Sequence, residues 1–182
     1  SSAIEGAMND AIVFTISQTG TTDKATTVIA KLNLPGGIGG ALAADIDTIV
    51  LTDANGSTQT VSVTDAIAGV SVTIPAGSTT APFFTIVPKD DAIYEISENL
   101  SMSISNAVNA TVGTASDTGS IVDNPAATGP GGNTDGDKPT VSIGDASASE
   151  GDNLVHVITV NGVTEVPVSY AFSITNGTAT VG

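Results

Sequence analysis

The chain contains no cysteine, no tryptophan and no arginine. Without thiols, neither a disulfide framework nor a thiolate metal site can form. Positive charge is nearly absent: Lys24, Lys31, Lys89 and Lys138 stand against 19 acidic residues, for a formal charge of −15 over 182 residues. Such a surface repels phosphate backbones and anionic lipid, which argues against nucleic-acid and membrane-surface partners. No apolar run approaches the ~18 residues a membrane span needs, and no secretory signal is present, so no membrane insertion is expected. Two tyrosines and four phenylalanines leave little aromatic surface for stacking on sugars. The sole histidine, His156, alternates with Val155 and Val157 as a solvent-facing strand residue would, and no Ser-His-acid or metal-hydrolase motif accompanies it. Nothing here points to an enzyme.

What the chain does contain is short apolar runs that alternate or are β-branched, bounded by Gly, Asn, Asp and Ser. They predict strands near residues 11–17, 25–32, 47–51, 59–63, 70–74, 82–87, 99–105 and 118–122. No window sustains a 3.6-residue period with caps. The expected fold is all-β, a two-sheet Greek-key sandwich. Asn55-Gly56 suits a tight hairpin turn, and this hairpin is expected to project from the sandwich. The stretch from Leu34 to Gly40 lacks the Lys-Ser/Thr of a phosphate loop and, with Ala41, the aspartate of a glycine-rich calcium nonapeptide, so it reads as a flexible inter-strand loop.

After Asp123-Asn124 the apolar pattern gives way to Gly, Pro and acidic residues, which predicts a linker over 125–138. Asn133, Asp135 and Asp137 alternate there but do not make an EF-hand loop, because the glycine falls at the fourth position and Gly144 stands where the closing glutamate belongs. A calcium using Asp135 or Asp137 with Asp123 would stiffen the linker. The pattern then restarts: KPTVSIGDASASEGDNLVHVITVNG aligns with SSAIEGAMNDAIVFTISQTG through a shared Glu-Gly and the strand after it, an internal repeat. On this reading residues 1–124 form a sandwich lacking its first strand, cut from an ongoing array, and 139–182 form the first half of a second. Half a sandwich cannot bury a core alone. It is expected to be ordered by strands of another copy, a homo-oligomer, or by docking on the first domain at the edge its missing strand leaves open.

Between two predicted strands lie Asp90-Asp91 and Glu95/Glu98. Carboxylates crowded at a turn repel one another unless a cation sits among them, which favours a hard divalent ion; a solvated acidic loop is the plainer alternative. The run VTIPAGSTTAPFFTIVPKDDAIYEISENLSMSIS…GSIVDNP resembles the second half of a Calx-beta domain, with its "DD…yE…E" calcium turn and closing "I-x-D-N", and Glu5-Gly6 and Glu150-Gly151 supply the family's early Glu-Gly. Long-hairpin versions are similar to repeats of large bacterial surface adhesins of the RTX type. The resemblance implies a Ca2+ set of Glu5, Asp90, Asp91, Glu95 and Asp123. A further ligand is expected from Asp45, or next Asp47, although the family's tyrosine after that aspartate is absent. Glu150, with Asp152 beside it, is the counterpart of Glu5 in the second copy and would need partners from outside. The implied role is a calcium-stabilised extender module of a secreted adhesin, at the bacterial cell surface, in cell adhesion and biofilm, flanked by neighbouring repeats. A self-assembling fibre completed by strand exchange and a calcium-dependent glycan- or protein-binding module are the alternatives.

Overall fold

A computed structural model describes residues 1–124 and 138–175. The expected linker, up to residue 137, and its Asn133, Asp135 and Asp137 lie outside the described residues, as do residues 176–182. The first segment contains strands β1 (Ser2–Ile4), β2 (Ile12–Thr15), β3 (Thr26–Asn33), β4 (Ile46–Thr52), β5 (Thr58–Val61), β6 (Val70–Ile74), β7 (Phe83–Pro88), β8 (Ile93–Tyr94), β9 (Glu98–Val108) and β10 (Ser116–Val122), with a short helix α1 (Val63–Ala68) and a 3₁₀ turn, Ala43–Asp45. The second contributes β11 (Thr140–Ile143), β12 (Ile158–Asn161) and β13 (Val163–Thr164).

Nine strands of the first segment form the two sheets of the sandwich, in the orders β1-β10-β9-β3-β6 and β2-β7-β4-β5. The chain passes repeatedly from one to the other, the Greek-key habit of β-sandwiches. Alternation decides which face is buried: β3 turns Thr26, Val28, Ala30 and Leu32 inward, and β7 turns Phe84, Ile86 and Pro88 inward. Phe84 lies opposite both Phe14 and Leu51, and Ile86 opposite Ile12 and Ile49, so two rows of large side chains cross three strands. These side chains pack with Leu32, Leu100, Met102 and Ile121 of the other sheet in one core. Burying each stabilises the fold by roughly 1.5–3 kcal/mol.

Four expectations are corrected. The Asn55-Gly56 hairpin does not project: β4 is an interior strand whose Ile49 and Leu51 belong to the core, and β5 is that sheet's edge. The strand expected to reach Val63 stops at Val61 because Ser62 caps a helix, its hydroxyl accepting the Asp65 N–H at 3.0 Å, and Gly69 ends the helix at φ 120°. The glycine loop is tied down: Asn99 N–H donates to Gly39 O and Ala41 N–H to Asn99 O, both at 3.0 Å. A Cβ at Gly40 would stand 2.6 Å from Gly36 O, so only glycine permits this closed path. Finally, Ser2–Ile4, unread as a strand in the sequence, lies parallel to β10 with Ser2 opposite Ser120 and Ile4 opposite Val122.

Within the second segment β11 pairs with β12, and β13 pairs in parallel with β8 of the first segment, Val163 opposite Ile93 and Thr164 opposite Tyr94. The second segment therefore pairs with the first at β8, a strand outside both sheets of the sandwich, and not at the sheet edge where docking was expected. His156 is exposed just before β12, its Nδ1 3.0 Å from Gly144 O.

Candidate metal centre

One end of the sandwich collects carboxylates from five places in the chain. Glu5 follows β1, held beside β10 by its N–H bond to Val122 O at 3.0 Å, and is only 2% exposed. Asp45 closes the 3₁₀ turn to which the tethered glycine loop leads. It is buried, and its Oδ2 accepts the Leu42 N–H. Asp90 and Asp91 leave β7. Asp91 Oδ1 accepts the Ile93 N–H at 2.8 Å, which starts β8, and Asp90 Oδ1 accepts from Asn124 Nδ2 at 2.9 Å. Glu95 follows β8, its N–H donating to Asp123 Oδ2 at 3.2 Å, and Glu98 opens β9 opposite Ile121 of β10.

These groups converge in two triads, Glu5–Asp91–Glu95 and Asp45–Glu95–Glu98, in each of which one oxygen per residue lies within 4.8 Å of the others. Glu95 belongs to both. Of the residues expected from sequence, Glu5, Asp45, Asp91 and Glu95 are in a triad. Asp123 lies beside them, close enough for its charge to act on Glu5 and Glu95. Asp90 belongs to neither triad. Asp47 is exposed and bonds to the Thr48 hydroxyl, and Glu150 is exposed in the second segment. Glu98 was legible as part of the acidic turn but absent from the expected ligand set. Glu165, just past β13, was not anticipated at all.

The electrostatics are those of a site short of positive charge. Burial, then the charges of Glu95, Asp91, Asp123 and Asp45, push the Glu5 carboxyl up to about 8. Burial, then Asp45 and Asp91 followed by Glu165 and Asp123, push Glu95 up to about 7. Glu98 is pushed up to about 8 by burial and by its hydrogen bond to Asp45, with the charges of Asp45, Glu95 and Glu165 adding to the effect. Glu98 is 2% exposed, and its Oε2 is buried without a hydrogen-bond partner. A buried unsatisfied carboxylate oxygen is costly unless protonated or bound to a cation.

The donors fit a hard cation. All are carboxylate oxygens, with neither imidazole nor thiol among them, and calcium takes six to eight oxygens in irregular geometry. The two triads together offer five carboxylates, Glu5, Asp45, Asp91, Glu95 and Glu98. A cavity of about 680 Å³ lies elsewhere, at the opposite end of β9 and β10, lined by Phe14, Thr26, Ile74, Met102 and Ile104 among others. Among the described residues, Asp117 is the one titratable side chain on its wall.

No protein-family model matches the chain, and no curated protein matches it. Among solved structures it is similar to calcium binding domain CBD12 of CALX1.1, at 14% identity and a TM-score of 0.46 over 68% of this chain and 41% of that one. It is similar to the apo-form Calx CBD1 domain at 13% identity and a TM-score of 0.46, over 68% of this chain and 89% of that one. CBD12 from CALX1.2 aligns over 89% of this chain and 66% of that one, at 12% identity and a TM-score of 0.45. The first of these is matched over less than half of its own length.

Proposed function

We propose that the chain is a non-enzymatic structural module whose acidic end binds calcium as a folding ligand, and that it serves as an extender repeat of a secreted bacterial surface adhesin. The observation that carries the metal reading is Glu98: a carboxylate buried in a cluster of four others, with an oxygen that no protein group satisfies. An ion bound only by the folded arrangement stabilises it by mass action. The adhesin setting is supported by the resemblance of the acidic turn, by the restart of the pattern at residue 139, and by a strongly acidic chain without thiols.

Thermal melts in chelator and in millimolar calcium, read with calorimetric titration, test the metal reading. The expected result is a calcium-dependent rise in Tm that Asp91→Asn with Glu95→Gln removes; an unchanged Tm and no binding heat would overturn it. A second reading, a fibre in which another copy covers the second segment, is favoured by one observation. Ile143, Val155, Val157, Phe172 and Ile174 of that segment are all more than 60% exposed. Sedimentation over a hundredfold concentration range separates the two: an extender stays monomeric, and a fibre polymerises.

A further inference from the structure

We propose that Glu165 is a ligand of the ion held at the end of the sandwich, so that one bound cation fastens the second segment to the first. This rests on the metal reading above and extends it, since every other donor comes from residues 1–124.

The geometry begins with the backbone. The parallel pairing of β13 with β8 continues one residue further, where the Glu165 N–H donates to Tyr94 O at 3.0 Å. Glu95, common to both triads, is the next residue after Tyr94. The ladder therefore brings Glu165 alongside Glu95. Glu165 itself belongs to neither triad, so ligation requires its side chain to close on Asp45, Glu95 and Glu98. Its Oε2 is buried and has no hydrogen-bond partner. Glu98 Oε2, in a side chain 98% removed from solvent, is likewise without one.

Such an approach is unfavourable in the absence of a cation. Pairing over two residues is a weak tether, and it carries a carboxylate towards others with which it repels. A divalent ion among Asp45, Glu95, Glu98 and Glu165 reverses the sign of the interaction and gives both orphaned oxygens a partner. The docking of the second segment then becomes linked to calcium: ion binding favours the docked state, and docking raises affinity for the ion by the same factor.

The test uses the full chain, calcium chloride as the probe, and two readouts: calorimetric affinity and amide hydrogen exchange. In the unsubstituted chain calcium is expected to protect both β9 and the 163–165 amides. Glu165→Gln keeps the backbone pairing and is expected to weaken calcium binding about tenfold and to abolish the calcium-dependent protection of 163–165, while β9 remains protected. Asp145→Asn, which removes an exposed charge from the same segment, is expected to change neither. If Glu165→Gln binds calcium with unchanged affinity and 163–165 respond as before, the Glu165 proposal is overturned and the metal reading stands. If Asp145→Asn weakens binding as much as Glu165→Gln, the effect is net charge and the proposal is overturned. If calcium neither binds nor protects β9, both readings fall.

Discussion

Replacing Glu98 by glutamine is expected to stabilise the metal-free protein and to impair the metal-bound one. The carboxyl moves from an ordinary value of 4.5 to about 8 on folding, chiefly through burial and the bond to Asp45. A group raised in this way contributes stability that is complete below its unfolded value and is lost as pH rises through its folded one. At pH 8, linkage with those two values sets the loss at about 4 kcal/mol as an upper bound. Part of the displacement comes from the charges of Asp45, Glu95 and Glu165 and so belongs to the cluster, not to Glu98 alone, which sets the realised gain for Glu98→Gln at about 1–3 kcal/mol. At about 3 °C per kcal/mol for a chain of this size, Tm in chelator at pH 8 rises by about 3–9 °C. By pH 4 the gain vanishes, because Glu98 is then protonated in both states. In millimolar calcium the order reverses, since the variant has lost a ligand and gains little from the ion. Calorimetric melts at pH 4 and 8, each with chelator and with calcium, give all four values. A variant less stable than the parent in chelator at pH 8, with its calcium response intact, would refute the argument.

Three further outcomes follow from the same structure. In chelator, the unsubstituted chain is expected to lose stability as pH rises from about 4.5 to about 8, the window in which Glu5, Glu95 and Glu98 are ionised unfolded but resist ionisation folded; a melt series that rises over that window would contradict it. Asp45→Asn is expected to weaken calcium binding tenfold or more and Asp47→Asn to leave it unchanged, as measured by titration calorimetry, because only the first carboxylate is buried in a triad. Gly119→Ala should cost about 1–3 kcal/mol in urea unfolding, as overpacked cores do. Its Cβ would stand 2.6 Å from Ile12 Cγ2 and 3.3 Å from Phe14 Cζ, where β10 crosses β2 of the facing sheet.

The all-β class was legible because alternation survives along β3, β4 and β7, where one face of each strand meets a core and the other does not. Glu5, Asp91 and Glu95 were legible through the resemblance of their local motifs. What escaped has physical reasons. Three residues, Ser2–Ile4, are too few to show a period, and their place beside β10 is fixed by a pairing 118 positions along the chain. Helix α1 is a single capped turn and a half, too short to show a 3.6-residue period, and it directly follows the alternating run of β5. Asp45 could be preferred to Asp47 only weakly, since the choice depends on how the glycine loop is anchored to Asn99. Glu165 left no trace, because nothing local to TEVP distinguishes a carboxylate destined for another segment's acidic end.

The two-residue ladder between β13 and β8 also has a mechanical meaning. A chain pulled from its ends loads this contact at once, and a pair so short gives way long before the nine-strand body does. Its rupture parts the second segment from the first while the β11–β12 pairing stays closed. A cation clamped across that contact would then act as a fuse of adjustable rating: ambient calcium would set the tension at which the two segments part, and re-docking after the load falls would reset it.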